Sequence, residues 1–312
     1  MNCYRRSDPR LEKILDRIFR MVRRYPPALR RLGREWVDTL GSDPRHYVSA
    51  PDASPLLHLP LWLVEGRRLA IPERNLDAIL EATALLYFHS RIQDNVLDEP
   101  QSRGQAPQLL LGNVFFLEAW NRLRALPLSD RFWTWTSEAW RIFSDATEAE
   151  RRQLQAHTPY TTARFRRHAR KVALARIPLY AVMEGESPKP KIAMDRFIDQ
   201  LGAAYGLVND VLGVERDLVA GMRTFLIATV EAGLPTRAKK DPATLRRELL
   251  MHPYLEHFLE RAIALHRRIK SMGEALKIAR MDEYTHERIE RLRHHHALAL
   301  GLRLRFALSG KP

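Results

Sequence analysis

Along almost the whole chain apolar residues return at steps of three and four, and almost nowhere do they alternate. A step of three to four lines one face of an α-helix, whereas a half-buried strand needs a step of two. The clearest run opens at Pro72-Glu73 and reaches about Asp98, with Leu76, Ile79, Leu80, Leu86 and Tyr87 on one stripe. Its proline suits a first helical turn, where no N–H is needed. Thr83 is the polar residue on that stripe, and its hydroxyl can bond back to the preceding turn. No Asn-Gly hairpin and no sustained period-two run competes. The spacing predicts an all-α protein.

The same reading divides the rest of the chain. Residues 9–39 form two helices broken at Pro26-Pro27, with Leu11, Ile14, Leu15, Ile18, Met21 and Val22 at helical spacing. Residues 41–60 carry four prolines and read as a loop. Helices follow at Leu109–Leu126, at Asp130–His157 with Ser129 as its cap, and at Ala163–Met183, a basic helix. The stretch Ile192–Leu226 reads as a helix, with a short one around Thr224–Ala232 and two or three more over 243–308. No internal repeat appears. The expected architecture is a helical bundle of about ten helices in a single domain over 1–312.

Composition narrows the class. With 45% apolar and 28% charged residues, 312 residues suffice for a substantial core. The single cysteine, Cys3, excludes a disulfide framework and a thiolate zinc site, which favours a reducing compartment. No apolar run is long enough for a membrane span, and the start lacks a signal-peptide core, so a cytoplasmic location is expected. The net charge of +14 comes from 42 arginines against 9 lysines. That bias fits base composition as readily as it fits a surface for polyanions or diphosphates. No zinc finger, aromatic RNA-binding signature or helix-turn-helix accompanies it, so no nucleic-acid partner is expected.

Two acidic turns stand out. Asp94 and Asp98 share a face at the end of the helix that begins at Pro72, and Asn209, Gly213 and Asp217 share another about 115 residues later. Each places hard oxygen ligands after a long apolar approach, which suggests a divalent-metal site between helices. Mg²⁺ or Mn²⁺ suits such a donor set, because these ions keep waters and share ligands with substrate phosphates. A metal-clamped diphosphate would have its leaving-group charge neutralised, with Lys171, Arg164, Arg167 or Arg170, and Arg223 as nearby cations. The aromatic cluster Phe132–Phe143 reads first as core, and second as a cavity lining that could stabilise a cation. His294-His295-His296 reads as surface, since consecutive helical residues point apart. Gly202, Gly206 and Gly213 recur on one side of their helix, leaving room for a substrate or a close-packed neighbour. No Ser/His/Asp arrangement, P-loop or dinucleotide fingerprint is present.

At these residues the chain resembles the class I isoprenoid synthases, closest in layout to the trans-prenyl diphosphate synthases and the terpene synthases. Leu86 to Glu99, with Asp94 and Asp98, resembles the first aspartate-rich helix, usually D-D-x-x-D. Ser102-Arg103-Gly104 resembles the R-R-G that follows, and Leu111-Gly112-Asn113 sits where Ala-Gly-Asp is common. Lys171-Val172-Ala173 resembles K-T-A, whose lysine contacts diphosphate. Leu201 to Asp210 resembles L-G-x-A-F-Q-I-x-D-D, and Asp217 to Leu226 resembles D-L-x-x-G-K-x-T-L-P. The ordered match spans about residues 76–232.

The resemblance implies an isoprenoid synthase-like bundle around a central active-site cavity, with residues 61–312 as its catalytic part and 1–60 as N-terminal helices and a proline-rich loop. It implies metal binding by Asp94, Asp98, Asn209, Asp210, Gly213 and Asp217, with Mg²⁺, three ions per site, and Mn²⁺ as a substitute. Arg103, Arg164, Arg167, Lys171 and Arg223 would bind the diphosphate of a prenyl diphosphate substrate. Tyr87, His89 and Ser90, together with Gly206, would line the pocket, and the layout leans towards a homodimer. The departures matter too. Asn209 and Gly213 replace aspartates of the second motif, and Asp217 arrives early, similar to the N-D-x-x-S-x-x-x-E triad of terpene synthases. Only Gly66-Arg67-Arg68 resembles the upstream G-G-K-R-x-R of a second diphosphate site, and Ser102 replaces an arginine. The expected activity is terpene synthase-like: Mg²⁺-dependent ionisation of a prenyl diphosphate, then cyclisation or rearrangement. Alternatives are prenyl transfer, by elongation or head-to-head coupling, and a non-catalytic isoprenoid-binding protein.

Overall fold

The computed structural model describes residues 8–40, 55–98, 107–155, 159–235 and 241–309, and every regular element among them is helical. The α-helices are α1 (Pro9–Arg23), α2 (Pro27–Thr39), α3 (Leu59–Arg67), α4 (Glu73–Asp98), α5 (Gln108–Arg124), α6 (Asp130–Gln155), α7 (Thr162–His168), α8 (Arg176–Val182), α9 (Pro188–Leu212), α10 (Val214–Val219), α11 (Phe225–Ala232), α12 (Pro242–Met251), α13 (Tyr254–Ala275) and α14 (Met281–Ser309). The all-α expectation holds, and local chemistry sets several boundaries. Asp8 caps α1 by accepting the Arg10 N–H at 2.8 Å, and Pro26-Pro27 separates α1 from α2. Thr83 Oγ1 donates to the Ile79 carbonyl at 2.7 Å, and the Ser129 hydroxyl accepts the Phe132 N–H at 3.4 Å.

Backbone packing groups the chain into two compact units. The first comprises Met1–Arg141, Ala173–Asp195 and Gly273–Glu283. Within it α4 and α5 form the most extensive helix pair. Trp36 is buried edge-on against Phe88 (4.5 Å between ring centroids) and Phe115 (5.2 Å). The aromatic residues of early α6 belong to this packing: Phe132 is fully buried, and Trp140 stacks on Phe116 at 5.1 Å. The second unit comprises Ile142–Val172, Arg196–Met272 and Tyr284–Pro312. Its core joins Phe165, Leu207, Phe225 and Phe258, with Phe165 and Phe225 stacked at 4.8 Å.

Three expectations need correction. The reading of 41–60 as a loop fails at its end, because α3 begins at Leu59 with Pro60 in its first turn, where proline is tolerated; residues 41–54 lie outside the described residues. The basic segment Ala163–Met183 is not one helix: α7 passes into 3₁₀ turns over Ala169–Ala175 before α8 starts. Pro178 cannot donate to the preceding turn, so it fits only near a fresh N-terminus, where N–H groups have no helical acceptor. The expected helix Ile192–Leu226 ends at Leu212 and resumes as α10 after Gly213. Hydrogen bonds from Gly213 N to Asn209 O (2.8 Å) and from Asp217 N to Gly213 O (2.9 Å) nevertheless carry the helical spacing across the break.

Candidate functional site

In the first unit the candidate residues sit on the last turns of α4. Asp94 is half-buried, and Arg91 Nη1 donates to its Oδ2 at 3.3 Å, one turn away. Asp98 closes the helix, and its side chain lies outside what the structure describes, as does the whole of Arg103. Ser90 Oγ donates to the Tyr87 carbonyl at 2.8 Å, which turns its hydroxyl onto its own helix. His89 is buried, with Nδ1 donating to the Gly112 carbonyl at 2.8 Å. A Cβ at Gly112 would lie 3.3 Å from Ile92 Cγ2 and 3.6 Å from His89 Nδ1, so the missing side chain lets α5 approach this turn of α4. Nε2 of His89 has no hydrogen-bond partner among the described residues, and the ring packs against Phe116 and Trp140. Burial holds this imidazole below its ordinary pKa.

The second unit holds the other acidic turn. Asn209 is exposed on α9, ahead of the half-buried Asp210. Asp210 Oδ2 accepts the Leu226 N–H at 2.9 Å, so this carboxylate meets the first turn of α11, whose cap is Thr224. Burial pushes the Asp210 carboxyl up to about 7, and the neighbouring charges of Asp217 and Glu150 add to the shift. Asp217 is buried on α10, and desolvation raises its pKa against the pull of Arg216. Arg216 donates to Asp217 Oδ1 through Nε (3.0 Å) and Nη2 (2.9 Å). A Cβ at Gly213 would stand 2.9 Å from the Asn209 carbonyl oxygen and 3.2 Å from Asp217 Oδ2. The glycine thus keeps Asn209 and Asp217 close over the break.

The predicted cations of this unit are already engaged. Lys171 Nζ lies 2.7 Å from Glu150 Oε2. Arg164 Nη1 reaches Gln153 Oε1 (3.1 Å) and the Pro159 carbonyl (2.7 Å). Arg167 forms a two-pronged pair with Asp145 at 2.9 and 2.5 Å, and Arg223 pairs with Glu231. Gly206 faces the Phe165 ring, whose Cε2 would lie 2.9 Å from an added Cβ, and Gly202 faces the Ala169 carbonyl oxygen at 2.2 Å. The glycine face of α9 therefore accommodates a close-packed neighbour.

Sequence reasoning missed Glu150 and Tyr160. Glu150 sits in a run of mixed charge that reads as solvated surface, and its pairing with Lys171 spans 21 residues. Tyr160 shares a 2.7 Å hydrogen bond with His168 Nδ1 and lies in the field of Glu150 and Asp210, which with burial raises its pKa. Neither has a sequence signal. Among the described residues no three His, Cys, Asp or Glu side chains converge as a metal cage. A hard ion here would use one or two carboxylates and the Asn209 amide, with water and substrate oxygens completing its shell. The donor set fits Mg²⁺ in that sense.

The upstream motif Gly66-Arg67-Arg68 has a different use. A Cβ at Gly66 would lie 2.0 Å from the Lys277 carbonyl oxygen. Arg67 donates to the Leu276 carbonyl at 2.9 Å and to both Glu186 oxygens at 2.5 and 2.7 Å. Arg67 is thus committed to holding α3 in place.

No protein-family model matches the chain, and no curated protein matches it by sequence. Solved structures do match. A geranylgeranyl pyrophosphate synthetase from the archaeon Geoglobus acetivorans superposes with a TM-score of 0.67 at 15% identity, covering 91% of this chain and 95% of that one. A geranylgeranyl pyrophosphate synthase from Corynebacterium glutamicum, complexed with isoprenyl diphosphate and magnesium, gives 0.63 at 16%, covering 94% and 96%. The chain has the isoprenoid synthase fold. A polyprenyl synthase from Caulobacter crescentus CB15, complexed with calcium and isoprenyl diphosphate, shares that fold with a TM-score of 0.59 at 16% identity, over 90% of this chain and 98% of its own. Among the described residues no helix is long and apolar enough to cross a membrane.

Proposed function

We propose that this protein is a Mg²⁺-dependent trans-prenyltransferase that ionises an allylic prenyl diphosphate and passes the prenyl group to a second isoprenoid diphosphate. The observation that supports this reading is the fold match over at least 90% of both chains to synthases named for making or binding such diphosphates. Asp94 and Asp98 at the end of α4 are one proposed pair of metal ligands, and Asn209, Asp210 and Asp217 around the α9–α10 break are a second proposed set. Bound Mg²⁺ would offset the negative charge that develops on the departing diphosphate. Lys171, once released from Glu150, adds a charge-assisted contact to that leaving group. The C1–O bond breaks with its electron pair leaving on the diphosphate. The allylic carbon then bonds to the acceptor alkene, and the resulting cation loses a proton.

A second reading, ionisation followed by cyclisation or rearrangement of a single substrate, draws on two observations. The Asn209–Gly213–Asp217 pattern is similar to the terpene synthase triad, and Arg67 is engaged with Glu186 rather than free for a second diphosphate. Incubating one labelled prenyl diphosphate with Mg²⁺, with and without isopentenyl diphosphate, separates the two. A longer prenyl product formed only with the second substrate is the expected result. Product from the single substrate selects the second reading. No diphosphate release from geranyl, farnesyl or geranylgeranyl diphosphate under either condition leaves an isoprenoid-binding role instead.

A further inference from the structure

The far half of α14 carries an apolar face turned away from its own core. Ala299 and Leu292 are buried, and Arg303 Nε donates to the buried Glu256 at 2.6 Å, which fixes that side of the helix inward. On the other sides Leu298, Leu300, Leu302, Leu304 and Leu308 are 50%, 36%, 43%, 51% and 89% exposed. They are five of the twelve large apolar side chains exposed among the described residues. A Cβ at Gly301 would meet nothing within 4 Å. Single exposed leucines need no explanation, but five within eleven residues form a patch.

Charge identifies what fits this patch. From Arg291 to Ser309 the helix has four arginines, three histidines and no carboxylate. Arg303 is turned to Glu256 and Arg293 is paired with Glu290, so the exposed Arg305 beside the leucines is the arginine placed to meet anionic headgroups while the apolar side chains enter the acyl boundary. The arginines also keep the helix from crossing the bilayer, in line with the absence of any spanning helix among the described residues. We propose that Leu298–Leu308 of α14 docks the protein peripherally onto an anionic lipid surface. The proposal is independent of the prenyltransferase reading.

Flotation of the full chain with vesicles tests it. Vesicles of phosphatidylcholine mixed with phosphatidylserine should capture the protein, and phosphatidylcholine alone should capture it at least about tenfold less. Replacing Leu298, Leu302, Leu304 and Leu308 by serine keeps the net charge and should weaken capture by about tenfold or more. Because these side chains are exposed, circular dichroism should be unchanged. If that variant fails to fold, Leu308→Trp alone serves, its emission shifting to the blue on vesicle binding. Absence of capture overturns the proposal, as does capture that the serine variant retains in full, which would assign it to overall charge. A serine variant that turns a dimer into a monomer, with no vesicle capture by either protein, overturns it in favour of a second copy of the chain.

Discussion

Asp217 concentrates the argument at the scale of single residues. It is 3% exposed and paired on Oδ1 with the 75% exposed Arg216, and desolvation still raises its pKa, so a further cation would stabilise its charged form. Asp217→Asn should leave the melting temperature within a few degrees of the wild type while lowering Mg²⁺-dependent diphosphate release by about a hundredfold or more. Thermal melts and a diphosphate-release assay check both halves. The missing Cβ at position 213 makes a related point, because Gly213→Val should push on the Asn209 carbonyl and on Asp217 together. The acidic turns were legible from helical spacing alone. Glu150 was not, since only folding brings it to Lys171.

Buried histidines and Asp210 act on the pH response in opposite directions, because the carboxyl raised to about 7 gains stability as pH falls through that value. His58 and His266 are each 4% exposed or less, and desolvation lowers both from 6.5 to about 4. Their folded pKa values lie below the unfolded one, so the stability they contribute is complete above about 6.5 and is lost as pH falls towards 4. Between pH 7 and 5 the loss should be about 2 kcal/mol per histidine. His266→Gln keeps a donor for the Ala262 carbonyl but cannot charge, so the change in urea midpoint from pH 7 to 5 should be more favourable to the fold in this variant than in the wild type.

For the helices themselves, periodicity was a sufficient guide wherever one face is buried. It located α1, α2, α4, α5 and α6 and marked 243–308 as helical in two or three pieces, since burial of one stripe is what stabilises a helix. It failed where backbone chemistry overrode the stripe. Pro178 restarts a helix inside an unbroken apolar and basic pattern, and Pro60, one of several prolines suggesting a loop, begins one. The packing of α9 on the 3₁₀ segment gives a direct test. Gly202 would place a Cβ 2.2 Å from the Ala169 carbonyl oxygen and 2.7 Å from Val172 Cγ2. Gly202→Val should destabilise the protein by about 3 kcal/mol or more, with denaturant midpoints as the measurement, whereas Gly301→Ala on open α14 surface should be neutral or stabilising.

For the whole molecule, fold class followed from the near-absence of strand patterning, and the isoprenoid synthase layout from four motifs in order. The fold is shared with solved structures at 12–18% identity, chains that differ from this one at most positions. What the sequence could not supply is the use of its charges. The arginines expected at a diphosphate are held by Asp145, Gln153 and Glu231. Ligand binding should therefore stabilise the fold only when metal and diphosphate are present together. A non-ionisable prenyl diphosphate at a hundred times its Kd with Mg²⁺ should add about 2.7 kcal/mol, and Mg²⁺ alone far less. The most direct test of the central claim is release of diphosphate from a labelled allylic prenyl diphosphate, followed over time with Mg²⁺ and with chelator. Metal-dependent release that Asp94→Ala and Asp217→Asn each abolish is the predicted result; no release above background from the unmodified protein would contradict it.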